Sequence, residues 1–239
     1  MLLELDSVAK SYGALRVIDQ LSLGLAEAEA LGVIGPNGAG KTTMFNLISG
    51  NAAPDAGHVR FHGRDITGLK PAARCKAGIG RTYQIPNPFG GMTVFENVLV
   101  GTTFGAGHSE RDGTPLVWAV LEQTGLAAVA DRLAGSLPLL DRKRLELARA
   151  LATEPSLLLL DEIAGGLAEH EIHHLIEIIR KIRAEGIAII WIEHVVHALM
   201  AVVDRIAVMN FGTLLIEGSP EAVMSDAKVR SVYLGVEAA

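Results

Sequence analysis

Gly35-Pro36-Asn37-Gly38-Ala39-Gly40-Lys41-Thr42 fits the phosphate-binding pattern G-x-x-x-x-G-K-[ST] at every fixed position. Before it, residues 30–34 form a short apolar run that reads as a buried strand. After it, residues 43–49 read as a helix opened by Thr43, and Gly50 suits its C-terminal stop. Strand, glycine-rich loop and helix N-terminus together make an anion site. Glycines let backbone N–H groups approach phosphate oxygens, the helix dipole adds partial positive charge, and Lys41 adds a full one. Thr42 can offer its hydroxyl to a magnesium ion. The stretch predicts that the chain binds a nucleoside triphosphate.

Composition narrows what it does with that triphosphate. The chain has 239 residues, one large domain or two small ones. Hydrophobic content of 49% with 20% charged residues supports a substantial core and excludes disorder. A net charge of −6 points away from nucleic acid as the main partner. The single cysteine, Cys75, excludes an internal disulfide, fits a reducing compartment and reads as inert rather than nucleophilic. Residues 1–10 carry Glu4 and Asp6 and lack a cationic start with an apolar block, so they do not read as a signal peptide. No apolar run approaches the roughly 18 residues of a membrane span. The mean hydropathy of +0.33 is nonetheless high, which suggests apolar surface covered by a partner.

Along the chain, residues 2–8 and 17–25 read as strands, with Ser11-Tyr12-Gly13 as a turn after the first. Pro54-Asp55-Ala56-Gly57 and Gly63-Arg64-Asp65 read as turns around a short strand at 59–61, which suggests an antiparallel sheet beside the phosphate-binding core. Residues 71–76 suit a short helix opened by proline, and 79–84 a strand ending in Gln84. From Ile85 the texture changes. Pro86, Pro88, Gly90 and Gly91 mark an irregular loop, and Thr93-Val94-Phe95-Glu96 matches a capping box for a helix over 94–103. Residues 105–113 are glycine-rich and charged and read as a mobile loop; 115–124 and 126–133 read as further helices. The block 86–140 is the candidate helical subdomain. Beyond it, the pattern predicts helices at 141–152, 169–184 and 194–203, and strands at 157–160, 187–192, 205–210 and 214–217. Apolar strands alternating with helices mean a parallel sheet covered on both faces.

Four further groups bear on chemistry. Asp161 ends four consecutive leucines; in phosphate-loop enzymes a carboxylate there positions magnesium. Glu162 lies one residue on, placed to align a water and accept its proton. His194 follows a second buried strand, at the carboxyl edge where ligands gather, and could hydrogen-bond a terminal phosphate. Gln84 could coordinate magnesium weakly through its amide, and Tyr12 could stack on a base, though either residue alone is unremarkable. His170, His173 and His174 lie with Glu169 and Glu171 at a polar helix start and read as a solvated face rather than a metal site.

In this order the sequence resembles the ATP-binding cassette (ABC) ATPases across nearly its whole length: Tyr12, Gly35 to Thr42, Gln84, a signature region before Ala148-Arg149-Ala150-Leu151, Asp161-Glu162 and His194. The resemblance implies an α/β fold: a phosphate-loop (RecA-like) core with a parallel sheet (1–85 and 141–239), an antiparallel β subdomain, and an inserted α-helical subdomain (86–140). It implies ATP and Mg2+ as ligands. Tyr12 would stack on adenine, and Gly35, Pro36, Asn37, Gly38, Ala39, Gly40, Lys41, Thr42 and Thr43 would hold the phosphates. Thr42, Gln84 and Asp161 would surround the metal. Glu162 would be the general base, with His194, Gln84 and Lys41 assisting at the terminal phosphate.

Within the family the chain looks most like the ATPases of branched-chain amino acid importers. The carriers are Arg81-Thr82-Tyr83-Gln84, Phe89-Gly90-Gly91-Met92-Thr93-Val94, Glu96-Asn97-Val98, Asp204-Arg205-Ile206-Ala207-Val208, Gly212, Glu217-Gly218-Ser219-Pro220 and Tyr233-Leu234-Gly235. Importers of urea or other amides use similar ATPases. Such a subunit would sit peripherally on the cytoplasmic face of the plasma (inner) membrane. Its partners would be integral membrane permease subunits, a second ABC ATPase and, indirectly, an extracytoplasmic solute-binding protein, with no nucleic acid. A low-turnover regulatory or soluble ABC ATPase untied to a permease is the other function class.

The chain departs from the family in two places. Where the family has Leu-Ser-Gly-Gly-Gln, the sequence has Leu137-Pro138-Leu139-Leu140-Asp141. Pro138 has neither hydroxyl nor N–H, Leu140 has a side chain where backbone approach is wanted, and Asp141 opposes a phosphate. After Glu162, Ile163, Ala164 and Ala168 replace the usual proline, hydroxyl residue and acid. Family members work as face-to-face dimers in which each signature reaches the other subunit's ATP. The departures therefore predict a heterodimer with a more regular cassette, a homodimer being the other outcome.

Overall fold

The computed structural model describes residues 1–234, with the side chains of 232–234 left aside. Gly235, the last residue of the tail likeness, lies outside the described residues. In chain order the elements are β1 (Leu3–Tyr12), β2 (Leu15–Leu25), β3 (Ala30–Ile34), α1 (Lys41–Ser49), β4 (Ala56–Phe61), β5 (Arg64–Asp65), α2 (Pro71–Lys76), β6 (Ile79–Arg81), α3 (Val94–Val100), α4 (Glu110–Gln123), α5 (Leu139–Leu151), β7 (Leu157–Asp161), α6 (Glu169–Ala184), β8 (Ala188–Ile192), α7 (Val196–Met200), β9 (Arg205–Asn210), β10 (Thr213–Gly218), α8 (Pro220–Ser225) and α9 (Ala227–Leu234). The described residues divide into two compact units, residues 1–71 with 188–234, and residues 72–187.

The first unit contains two sheets. β1 pairs antiparallel with β2 and with β4, and β5 pairs antiparallel with β4. In the other sheet β3 runs parallel to β8 and to β9, and β10 closes on β9 as an antiparallel hairpin. β3 and β8 are buried at every residue, as expected of strands covered on both faces. α1 starts at Lys41 and stops at Gly50, which takes φ 81.

The second unit sets the parallel pair β6–β7 with a group of helices. β7 is buried throughout, and α6 buries Ile172, Leu175, Ile176, Ile178, Ile179 and Ile182 along one face. α3 carries the full capping box: the Thr93 side chain accepts from Glu96 N–H, and Glu96 accepts from Thr93 N–H. It then passes into a π-helix over Gly101–Ala106.

The antiparallel sheet, the parallel strands and most helices match the sequence reading, and six local expectations are corrected. Tyr12 is the last residue of β1 rather than part of a turn. Arg64 and Asp65 form the short strand β5, leaving His62 and Gly63 as the turn. Gln84 lies three residues beyond β6. The main-chain ladder gives out because the Thr82 hydroxyl, rather than a carbonyl, accepts from Asp161 N–H (3.2 Å). Residues 110–113 are the first turn of α4 instead of a mobile loop. Ser109 caps it by accepting from Asp112 N–H, and Gly113 serves close packing, since a Cβ there would meet Thr102 Oγ1 at 2.6 Å. Residues 126–133 form only a 3-10 turn at Ala127–Val129, because the carbonyls of Ala130 and Arg132 accept from Phe95 and Val94 N–H, the otherwise unpaired donors of α3. Residues 194–203 are helical only over Val196–Met200; the buried Glu193 carboxylate accepts from the N–H groups of His194 and Val195 and holds them out of the helix.

The β9–β10 turn carries local strain. Phe211 takes φ 44 and Gly212 φ 77, so both central residues are left-handed as a tight hairpin requires, and Phe211 is 85% exposed. A bulky residue pays for this conformation without compensating burial. Phe211→Asn should therefore stabilise the chain by about 1 kcal/mol and raise Tm by about 2–4 °C. Thermal and urea unfolding of the two proteins checks this; a lower midpoint for the variant would contradict it.

Candidate functional site

In the first unit the buried strand β3 delivers the chain into the loop Gly35–Gly40, and α1 begins at once with Lys41. Gly35 has φ 152, and a Cβ on it would lie 2.2 Å from Met209 O. Gly38 has φ 80 with open space around it. Ala39 O accepts from Gly212 N–H (3.0 Å), so the β9–β10 turn braces the loop from outside. Lys41 is 6% exposed, and its ammonium donates to Gly35 O (2.7 Å) and Pro36 O (3.1 Å). Thr42 is exposed on the first turn of α1, and Thr43 is half-buried beside it. An open cavity of about 440 Å3 is lined by Gly35, Pro36, Asn37 and His194. The structure thus brings His194, distant in sequence, to the phosphate loop. Tyr12 is half exposed, with Lys10 Nζ 5.6 Å from its ring centre.

In the second unit two consecutive acids end in different surroundings. Asp161 is 3% exposed, and its Oδ2 lies 3.1 Å from Arg81 Nη2. Glu162 follows in the left-handed region, φ 48. Its Oε2 accepts from Gln84 Nε2 (2.6 Å), and its main-chain carbonyl accepts from the buried Lys143 ammonium (3.2 Å). Ile163 and Ala164 then turn inward and are buried. The loop after Gln84 is pinned by Asn97, which is fully buried. Its side chain accepts from Phe89 N–H (2.9 Å) and donates to Phe89 O and Thr93 O. Arg149 reaches the same loop, stacking 4.7 Å from the Phe89 ring centre and donating to Asn87 O. Burial pushes the Glu146 carboxyl up from its usual range, and the neighbouring Arg149 offsets part of that.

The signature segment is placed at the start of α5. Pro138 is its N-cap and supplies no side-chain cap, and Leu139 is 44% exposed. Asp141 lies in the first turn and pairs with Arg144 (3.3 Å). Arg142 donates to Leu137 O and Gly135 O, fixing the approach to the helix.

Arg81 and Lys143 contact the two consecutive acids, contacts that the sequence reading missed. Lys143 carried a signal: with Glu146, Leu147 and Ala150 it falls on the buried i, i+3, i+4, i+7 stripe of α5, where a charge is out of pattern. Magnesium wants hard oxygen ligands and is usually held by one or two carboxylates with substrate phosphates. Each unit carries a donor of that kind, the Thr42 hydroxyl in the first and the Asp161 carboxylate in the second, so each by itself fits such an ion. Among the described residues no group of three or more His, Cys, Asp or Glu could hold a metal by itself.

A strand–loop–helix anion site with a buried lysine, and a buried strand ending in adjacent acids, define the class: a phosphate-loop ATPase. The chain belongs to the ABC transporter family, whose model matches residues 18–165. A second model, the branched-chain amino acid ATP-binding cassette transporter, matches residues 214–239. The chain is 36% identical to the high-affinity branched-chain amino acid transport ATP-binding protein BraF of Pseudomonas aeruginosa, over 98% of each chain. It is 37% identical to the lipopolysaccharide export system ATP-binding protein LptB of Acidithiobacillus ferridurans, over 98% of this chain and 97% of that one. Its fold matches a crystal structure of the ADP conformation of an ATP-binding cassette of an ABC transporter, with TM-score 0.89 and 32% identity over 98% and 99% of the two chains. The chain is therefore an ATP-binding subunit of this transporter family and an ATPase.

The two loop glycines should respond differently to a methyl group. Gly35→Ala forces a backbone clash and should unfold the loop, losing nucleotide binding and lowering stability by about 3 kcal/mol or more. Gly38→Ala meets only conformational strain, about 1 kcal/mol, and should keep the fold. Fluorescent-nucleotide titration with thermal melts separates the two; equal behaviour would contradict the assignment.

Proposed function

We propose that the chain is the energy-coupling ATPase of an importer for branched-chain or related amino acids, or for urea or similar amides. The observation that carries this reading is the match of residues 214–239 to the branched-chain amino acid cassette model. The LptB relative favours a second reading, an export system, because its identity is as high as BraF's. The C-terminal match weighs for import. Among the described residues no helix is long and apolar enough to cross a membrane. In this reading the chain binds peripherally to permease subunits at the cytoplasmic face. The loop between Gln84 and Met92 supports that docking: Ile85 is 80% and Phe89 46% exposed, while Asn97 and Arg149 hold its backbone. A solute-binding protein acts on the far side and does not touch this chain.

The residues divide the work as follows. Tyr12 stacks on adenine. The backbone of residues 35–43 and the Lys41 ammonium bind the phosphates. Thr42, Asp161 and Gln84 would hold magnesium, which would supply positive charge beside the terminal phosphate. Glu162 aligns that water and takes its proton, and His194 donates a hydrogen bond to the terminal phosphate. The left-handed turn at Glu162 and the Lys143 contact support its role by fixing the acid in one orientation. Glu162→Gln should bind ATP as tightly as the parent while losing about 100-fold or more in turnover. Trapped nucleotide measured after spin filtration reads this out; unchanged turnover would remove Glu162 from the role of base and favour the low-turnover regulatory reading.

The signature segment supports a heterodimer. Pro138, Leu140 and Asp141 offer no hydroxyl, no open backbone and an opposing charge to a facing phosphate. Tagged chain solubilised from membranes should bring with it a polytopic permease and a second cassette ATPase. Its ATPase rate in that assembly should exceed the isolated homodimer's by about tenfold or more. A homodimer hydrolysing as fast as the assembly, or assembly without any permease, would sink the partner reading.

A further inference from the structure

Asp161 has a cationic partner inside its own unit, Arg81. Arg81 is the last residue of β6 and pairs in register with Leu159 of the parallel β7. Side chains two apart on a strand share a face, so the register that sets Arg81 against Leu159 also sets it beside Asp161. The two side chains are 6% and 5% exposed, with Nη2 and Oδ2 3.1 Å apart. The Tyr83 ring lies 4.9 Å from the guanidinium and flanks it. The main chain is fixed as well, since Thr82 N–H donates to Leu159 O (2.9 Å) and the Thr82 hydroxyl accepts from Asp161 N–H (3.2 Å). The guanidinium therefore presents a fixed positive charge to the Asp161 carboxylate.

We propose that Arg81 is a positioning residue and the resting counter-ion of Asp161. It holds the carboxylate in one orientation and suppresses divalent-cation binding there until a nucleotide brings the metal in as its phosphate complex. The physical reason is the local charge. With Arg81 paired to Asp161, a free divalent cation would enter a site whose carboxylate is already neutralised and whose nearest neighbour is a buried cation. A metal–ATP complex is net negative and meets no such barrier. Arg81 takes this part only if Asp161 is the magnesium-positioning acid assigned above.

The test uses the full chain, freed of nucleotide, with Mn2+ as the probe and electron paramagnetic resonance of the free ion as the readout. The parent should bind Mn2+ weakly without ATP. Arg81→Met should bind it at least about tenfold more tightly, because a full neighbouring charge has been removed. Arg81→Lys keeps the charge and should behave as the parent. Arg81→Gln, which keeps a hydrogen-bond donor but no charge, should follow the methionine variant and serves in its place if that one does not fold. Binding of a fluorescent ATP analogue in chelator should be the same in all. Equal Mn2+ affinity in folded parent, methionine and glutamine variants would overturn the role of Arg81, as would a lysine variant that binds like methionine. Adding Asp161→Asn to Arg81→Met should abolish the gained Mn2+ site. If the gain persists, Asp161 is not the ligand, and the assignment beneath the inference fails rather than the charge argument.

Discussion

A buried ammonium group costs several kcal/mol unless acceptors surround it, and Lys41 is almost wholly buried. Its chain folds back over its own loop, so that the carbonyls of Gly35 and Pro36 receive its protons. The loop is therefore shaped around the Lys41 ammonium, which ties its backbone to one conformation. Much of the first unit serves this arrangement. β3 must be buried on both faces to aim the loop. The turn Phe211-Gly212 must come close enough for Gly212 N–H to reach Ala39 O, and Gly212 O in turn accepts from Asp19 N–H of β2. The strain at Phe211 is the local cost of a hairpin tight enough to make that contact.

The second unit faces the opposite problem, two negative charges on consecutive residues. The structure separates them by geometry. Asp161 still belongs to β7, points with the strand's alternation and is met by Arg81. Glu162 leaves the strand through a left-handed residue, which sends its carboxylate elsewhere, to Gln84, and its carbonyl to Lys143. A carboxylate with a fixed buried counter-ion suits positioning. One that is half exposed, with an exchangeable amide partner, suits proton transfer to and from water. The difference between the two acids thus comes from one backbone torsion and two neighbouring cations, not from their chemistry.

What could be read in advance follows from the range of the interactions. The phosphate loop, the buried strands and the capping box at Thr93 and Glu96 are local patterns, and each stands where its residues put it. Gly113 misled because a glycine chosen for close approach to Thr102 looks the same in sequence as one chosen for freedom. Gln84 was placed in a strand because nothing local reveals that the Thr82 hydroxyl replaces a carbonyl in the ladder. The helix expected over 126–133 failed for a non-local reason: the backbone carbonyls there were needed by the unpaired donors of α3. The family was legible in a series of residues whose types and order carry the likeness, while their individual roles stay proposals. The pairing of Arg81 with Asp161 depends on strand register, which no spacing in the sequence encodes.

The start of α5 brings these threads together. In the family pattern a helix N-terminus is left open, with a hydroxyl and bare glycine backbone, so that its dipole is spent on a phosphate from another subunit. Here the same helix end is already served. Asp141 sits in the first turn with Arg144 beside it, the approach is tied down by Arg142, and the proline cap offers no donor. A carboxylate in the first turn stabilises the helix for the reason it would repel a second anion. The change favours the stability of α5 over an open helix end for a facing nucleotide. On the function proposed above, a subunit with such a helix end would lend little to a facing copy of itself, and that asymmetry is the physical case for the unlike partner we propose.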